Sequence, residues 1–360
     1  MKLEKMTSIE KNKHDVHVKY YGFEKILYYW FLGGTIFVFS MIVLGGITRI
    51  TDSGLSMVDW NLFMGVMPPL SSEQWSYLFN EYKKYPEYNL INLGMTLSDF
   101  KVIYWFEYSH RILGRLIGLY FIIPFIFFLY KKILSKRDII FIFILILLGG
   151  FQGFLGWYMV KSGLVENPDV SQYRLAAHYS LALLIYLLLF WNTLCLKNYG
   201  IIHKKNFSGI SLSFIIFIPW LFFVFISGVF VAGTDAGLLF NSYPLMDGYF
   251  FPEGFFDLSP KILNFFENKI TINIIHRVLT LITILFVIFL WLRVFLIYKS
   301  KILIRHHFLI LCIIFQFVVG IILVSYSIPN DYAILHHIGA LALISLAVYS
   351  FHGELYGTRK

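Results

Sequence analysis

Charge is scarce in this chain, and cysteine is scarcer. Only 14% of the 360 residues are charged, where soluble domains carry about a quarter, and that excludes a solvated globular surface. The two cysteines, Cys195 and Cys312, fall in separate apolar runs with no CxxC spacing. Neither a disulfide framework nor a thiolate metal site is indicated, so both read as packing residues. A cleavable leader, with its short apolar core and small-residue site, is also missing. The first apolar run, which follows a polar, lysine-bearing tail over 1–25, is therefore expected to be retained.

What the chain does have is hydrocarbon: 58% hydrophobic residues, 19% aromatic. A bilayer core accepts a helix of about 20 apolar residues, and eight runs reach that length, roughly 26–48, 104–130, 138–160, 174–196, 210–232, 273–298, 303–326 and 332–352. The expected fold class is all-α, a polytopic membrane protein with eight transmembrane helices. The net charge of +9 is gathered in short clusters: Lys131, Lys132, Lys136 and Arg137; Lys197, Lys204 and Lys205; Arg293, Lys299, Lys301 and Arg305. These occupy the second, fourth and sixth connections, on the side of the tail and of Arg359-Lys360. That distribution reads as positive-inside topology with both termini cytoplasmic, and not as a nucleic-acid partner. The other side receives two long loops, about 49–103 and 233–272. In them Ser71-Ser72-Glu73-Gln74 and Thr96-Leu97-Ser98-Asp99 read as starts of short helices.

The chain also repeats itself. "TDSGL" at Thr51–Leu55 follows the first span and "TDAGL" at Thr234–Leu238 the fifth. His110-Arg111 opens the second span and His276-Arg277 the sixth. Phe151-Gln152 precedes Gly156 in the third as Phe315-Gln316 precedes Gly320 in the seventh, and His178 in the fourth pairs with His336 in the eighth. Matches in one order predict two tandem four-helix bundles of the same topology, 26–200 and 201–360.

Four histidines stand out on that map. His14 and His17 belong to the tail, His203, His306 and His307 lie in or beside cytoplasmic loops, and His352 ends the last span. By contrast, His110, His178, His276 and His336 each lie a few residues inside the loop-side end of an even-numbered span. A single intramembrane histidine reads most simply as an interhelical hydrogen-bonder, but two at equal depth in each repeated bundle read as ligands. Zinc would want further N, S or carboxylate donors, and the second half offers no carboxylate beside His276. Haem needs only two axial nitrogens from facing helices, an apolar slot and cations for its propionates. Gly114, Gly118 and Gly339 read as room for a porphyrin face or as ordinary small-residue packing. Arg111 and Arg277 read as propionate clamps or as snorkelling side chains. One asymmetry remains. Glu107 stands three residues before His110, on the same helix face, where the second half has Asn273. A carboxylate there can exchange protons with a bound water, and the plainer reading is an i,i+4 salt bridge with Arg111.

The stretches "GGITRITDSGLSMVDW", "PPLSSEQW", "YPEY", "GMTLSDFKVIYWFEYSHRILGR" and "FQGFLGWYMVKSGL", with the paired HR and AH/HH positions, resemble the haem A synthase (Cox15/CtaA) family over nearly the whole chain. The lack of loop cysteine pairs resembles its alphaproteobacterial and mitochondrial class. The resemblance implies oxidation of the C8 methyl group of haem O to the formyl group of haem A by way of hydroxymethyl haem I. It further implies that the second half holds haem b as cofactor, through His276 and His336 with Arg277. The first half would take haem O at His110 and His178 with Arg111, with Glu107 as the catalytic carboxylate. His337 adjoins His336 and competes for the same role; Ala340, four residues on as Ala182 is from His178, favours His336. A bacterial inner membrane, haem O synthase or an electron-transfer protein as partner, and an open question of homo-oligomerisation complete the implied picture. The rival readings are a membrane dihaem b-type electron carrier without substrate turnover and a transporter with a midplane site, which four histidines near one face disfavour.

Overall fold

The computed structural model describes residues 2–58, 66–163, 169–197, 207–298 and 304–356, with side chains from Phe23 onward. The side chains of His14 and His17 lie outside the described residues, as do His203, Lys204, Lys205, Lys299, Lys301, Arg359, Lys360 and the Asp59-Trp60 end of the first loop motif.

Ten α-helices are present among the described residues: α1 Lys2–Ile50, α2 Ser72–Tyr82, α3 Pro86–Leu90, α4 Leu97–Tyr130, α5 Lys136–Gly163, α6 Gln172–Lys197, α7 Gly209–Gly233, α8 Lys269–Tyr298, α9 Ile304–Ser325 and α10 Asn330–Tyr356. All but α2 and α3 are long and apolar enough to cross a membrane, and for α1 the candidate span is Phe23–Ile50. The hydropathy runs therefore all become helices, with two boundary corrections. Helix α1 runs back through the polar tail to Lys2. The Thr96 signal, read from sequence as the start of a short loop helix, instead starts the 34-residue α4. Its capping box is complete: Thr96 Oγ1 accepts from the Asp99 N–H at 3.3 Å, and Asp99 Oδ2 accepts from the Thr96 N–H at 3.1 Å. The Ser71 signal does make a short helix, α2, capped reciprocally by Gln74.

Two rings of helices follow from the contacts. Helix α1 packs on α4 and α6, and α5 closes the ring by packing on both α4 and α6; likewise α7, α8, α9 and α10 close a second ring. The rings meet where α1 touches α10 and where α6 touches α7 and α10. One apolar core runs through that seam, with Leu183 and Leu189 of α6, Phe214 and Phe217 of α7, and Leu341 of α10 fully buried. In a bilayer such contacts are held by close van der Waals fit, since lipid tails are as apolar as leucine.

A separate aromatic cluster lies over the first ring. Trp75, Phe79 and Tyr82 of α2 pack with Phe100, Ile103 and Tyr104 of α4 and with Met57, and the Phe79 and Phe100 rings stack at 5.1 Å. The first turns of α4 thus rise beyond the apolar stretch to carry a small core. The repeated TDxGL turn has a common structure too. Thr51 and Thr234 each bond back to the carbonyl four residues earlier, at 2.8 and 2.7 Å. Asp52 and Asp235 follow with φ of 47° and 54°, the left-handed region that aspartate tolerates better than most residues. Each turn stops its helix at the same place.

Candidate functional site

Each of the four histidines faces a glycine on a neighbouring odd-numbered span. A Cβ on Gly45 of α1 would lie 3.0 Å from His110 Nε2; on Gly156 of α5, Gly228 of α7 and Gly320 of α9 it would lie 3.1 Å from Cε1 of His178, His276 and His336. Each imidazole therefore stands against a position that carries no side chain. The glycines singled out from sequence do not touch the histidines: Gly114 faces Met41, Gly118 has no neighbour within 4 Å, and Gly339 faces Gln316 and Phe315. The room is made by the helix opposite each histidine, not by its own helix. The signal was present as fixed spacing: Gly45 and Gly228 each stand seven residues before their motif aspartate, and Gly156 and Gly320 each stand four after the repeated glutamine.

Those glutamines hold the backbone of the second histidine of each pair. Gln152 donates to the His178 carbonyl at 3.0 Å, and Gln316 to the His336 carbonyl at 2.8 Å. On the other member, Ser227 lies 2.8 Å from His276 Nδ1, which fixes that ring and leaves Nε2 for a ligand. The neighbour His337 is committed elsewhere: its Nε2 donates to the Ile42 carbonyl at 3.1 Å, and its ring meets Tyr179 edge-on.

His276, His336 and Arg277 line a cavity of about 450 Å³, backed by Gly228 and Gly320 and reached by α1 through Gly46, Arg49 and Asp52. Within it His336 Nδ1 is buried without a hydrogen-bond partner. A mostly apolar cavity, a glycine cradle and two facing imidazoles fit a planar iron porphyrin. His306 and His352, placed at loop and helix end by sequence, prove buried with Arg305 and Glu354. His352 and Glu354 lie at the far end of α10, with His352 about 24 Å from His336 at 1.5 Å per residue, and Arg305 and His306 lie in the first turn of α9.

The loop-side ends of the two pairs share one frame and differ in one group. In the second half Asn273 donates to the Ala236 carbonyl at 2.6 Å and accepts from Arg277 Nε at 2.8 Å, while Arg277 also donates to the carbonyls of Ser242 and Phe240. In the first half Glu107, 3% exposed, takes the equivalent place. Its Oε2 accepts from Ser56 Oγ and from the Met57 N–H, both at 2.7 Å, and its Oε1 pairs with Arg111, which also donates to the Met57 carbonyl. The salt bridge foreseen as the plainer reading is real, yet it is a buried one tied to the loop that follows α1. Both arginines hold loop carbonyls in addition to standing near the histidines.

One cation joins the halves. Arg49, at the position where the second half has Ala232, pairs with Asp52 at 2.8 Å and with Asp235 at 3.3 Å and donates to the Ala232 carbonyl at 2.9 Å. Nothing in the repeat marks it, because the second half has no counterpart.

Comparison with known proteins bears on this geometry. A family profile described as COX15-CtaA, cytochrome oxidase assembly protein, matches residues 28–348. A protein of Nitrosospira multiformis named heme A synthase is 42% identical over 336 residues, covering 92% of this chain and 94% of its own. Proteins of the same name from Parvibaculum lavamentivorans and Flavobacterium johnsoniae are 38% and 40% identical, over 97% and 90% of this chain and 98% and 96% of theirs.

Proposed function

The chain belongs to the COX15-CtaA family of cytochrome oxidase assembly proteins and is a haem A synthase, a multi-pass membrane oxidoreductase acting on haem O, and from that premise we propose how its two rings divide the work. The first ring takes the substrate between His110 and His178. The second holds haem b between His276 and His336, with Arg277 offering positive charge at the loop-side end of that cavity and Arg111 at the equivalent end of the first pair.

The observation that carries this division is the replacement of Asn273 by Glu107 within an otherwise repeated frame. Haem b, when bound in the second ring, supplies one-electron redox chemistry. The protein's own part is to place groups. Gly45, Gly156, Gly228 and Gly320 leave room beside each imidazole, Gln152 and Gln316 fix the backbone of His178 and His336, and Ser227 orients His276. Oxidising a methyl group to a formyl group with oxygen from water releases protons and electrons together, and the electron-transfer partner takes up the electrons. Glu107 is the group positioned to take a proton and to activate the attacking water, while Ser56, the Met57 N–H and Arg111 hold its two oxygens in place. Asn273 cannot do this, and its side serves the resident cofactor. A carrier with two permanent haems would have no use for an acid on one side alone.

Lys131, Lys132, Lys136 and Arg137 around the α4–α5 connection, with Lys197, Arg293 and Arg305 at the ends of α6, α8 and α9, support cytoplasmic connections and termini in a bacterial inner membrane, with the histidine pairs near the outer face. Haem O synthase, as the source of substrate, and an electron-transfer protein are the proposed partners.

Glu107→Gln keeps the shape and removes the base. It should retain the bis-histidine spectrum while slowing product formation at least 100-fold, the lower end for loss of a general base. His276→Leu should instead lose that spectrum. Wild-type turnover by Glu107→Gln, read by chromatography of extracted haems, would remove Glu107 from the role.

A further inference from the structure

Two adjacent glycines on α1 face opposite rings. A Cβ on Gly45 would press on His110, and one on Gly46 would run into the ring of His337 on α10, which donates to the Ile42 carbonyl of α1 at 3.1 Å. Gly46 therefore lets α1 come close to the second ring. Arg49 stands three residues further on, which on a helix is the same face. With Gly46, Ile50 and Asp52 of its own ring, it lines the cavity of His276 and His336. A guanidinium carries five N–H donors, and three of those on Arg49 are engaged, by Asp52, by Asp235 and by the Ala232 carbonyl. Two remain, one of them on an Nε that is buried without a partner. The side chains of Asp52 and Asp235 are 56% and 43% exposed, against 19% for Arg49. Water screens those carboxylates more than it screens the guanidinium, so the group as a whole turns positive charge toward the cavity.

We propose that Arg49 is a cofactor-binding residue: through it the substrate ring supplies a hydrogen-bonding cation to a carboxylate of the haem held in the second ring. The inference rests on haem b occupying that cavity. Arg277 lines the same cavity, so each of the two porphyrin carboxylates has a guanidinium to meet, one from each ring. Guanidinium and carboxylate are planar groups that pair by charge-assisted hydrogen bonds. The loan is not returned. Ala232 occupies the position of Arg49 in the second half, so the second ring offers no such side chain to the first pair. That difference suits one haem that stays and another that leaves as product. It also makes cofactor retention depend on the fit between the rings, because the cavity is complete only with α1 against α10.

The test uses the full-length protein in lipid nanodiscs loaded with haem b, and it reads the midpoint potential of the haem and the rate of haem loss to excess apomyoglobin. A nearby positive charge favours the added electron, so Arg49→Leu should lower the potential. It should also speed haem loss at least about tenfold, the lower end for a hydrogen bond to a charged group. Arg49→Lys keeps the charge and lacks the planar fork, so it should recover most of the potential and lose haem at a rate between the two. Asp235→Asn breaks the seam contact from the other side; it should raise the potential and leave haem loss near the wild-type rate. Equal acceleration of haem loss by Arg49→Leu and Asp235→Asn would show a seam contact only and overturn the proposal. So would wild-type potential and haem loss in Arg49→Leu. If His276→Leu loses the bis-histidine spectrum in that case, the cavity assignment stands and the role of Arg49 alone falls; an intact spectrum there overturns both. Should Arg49→Leu fail to fold, Arg49→Lys decides, and wild-type haem loss in it overturns the proposal.

Discussion

A hydrogen atom in place of a methyl group decides whether each imidazole can lie against its neighbouring helix. At Gly320 a leucine would drive its side chain into the His336 ring, which already stands at contact distance from a bare Cβ. Gly320→Leu should therefore fold and lose the bis-histidine absorption, whereas His337→Leu should keep it, because His337 is bonded to the Ile42 carbonyl. The two spectra compared side by side check the assignment of His336. Glu87, buried on α3, makes a different residue-level prediction, on stability. Burial raises its carboxyl in the folded protein, from 4.5 to about 8, so the folded state binds more protons than the unfolded state across that window. Stability should fall as pH rises from about 4.5 through about 8, and Glu87→Gln should flatten that slope, as measured by thermal denaturation over a pH series. At this scale the sequence showed the histidines and Glu107, since ionisable groups stand out in apolar helices. It did not single out Gly45, Gly156, Gly228 and Gly320, because choosing them requires knowing which helix lies across from which.

Among the elements, α4 is where hydropathy and structure part company. Its first turn contains Ser98, Asp99 and Lys101, which an apolar window rejects, although Thr96 and Asp99 close a capping box that starts the helix there. Thr96→Ala should cost about 1 kcal/mol, read as a lowered denaturation midpoint. It should also loosen the contact of Phe100 and Tyr104 with α2, seen as faster proteolysis of the first loop. The eight spans were legible because a bilayer demands uninterrupted apolar length. The small core formed by α2 and α4 was not, because its aromatic residues come from segments separated by a loop and no periodicity connects them.

Taken whole, the molecule is a duplication with deliberate breaks in it. The repeated turns, the glutamine brackets and the arginine clamps were visible as ordered matches in the chain. Arg49 was not, since it has no twin to match. It is 19% exposed and ties Asp52 to Asp235 across the seam, and because both aspartates stay open to water, Arg49→Ala should lower stability by no more than about 1 kcal/mol. Denaturation in nanodiscs reads that loss. If the two rings depend on this link, the variant should also unfold over a broader range than the wild type.

The grip of Glu107 on Ser56 and Met57 makes helix and turn one mechanical unit. Glu107 and Arg111 together fasten α4 to the turn after α1, so a shift in one moves the other. A substitution that shifts the turn after α1 therefore also moves the Glu107 carboxylate.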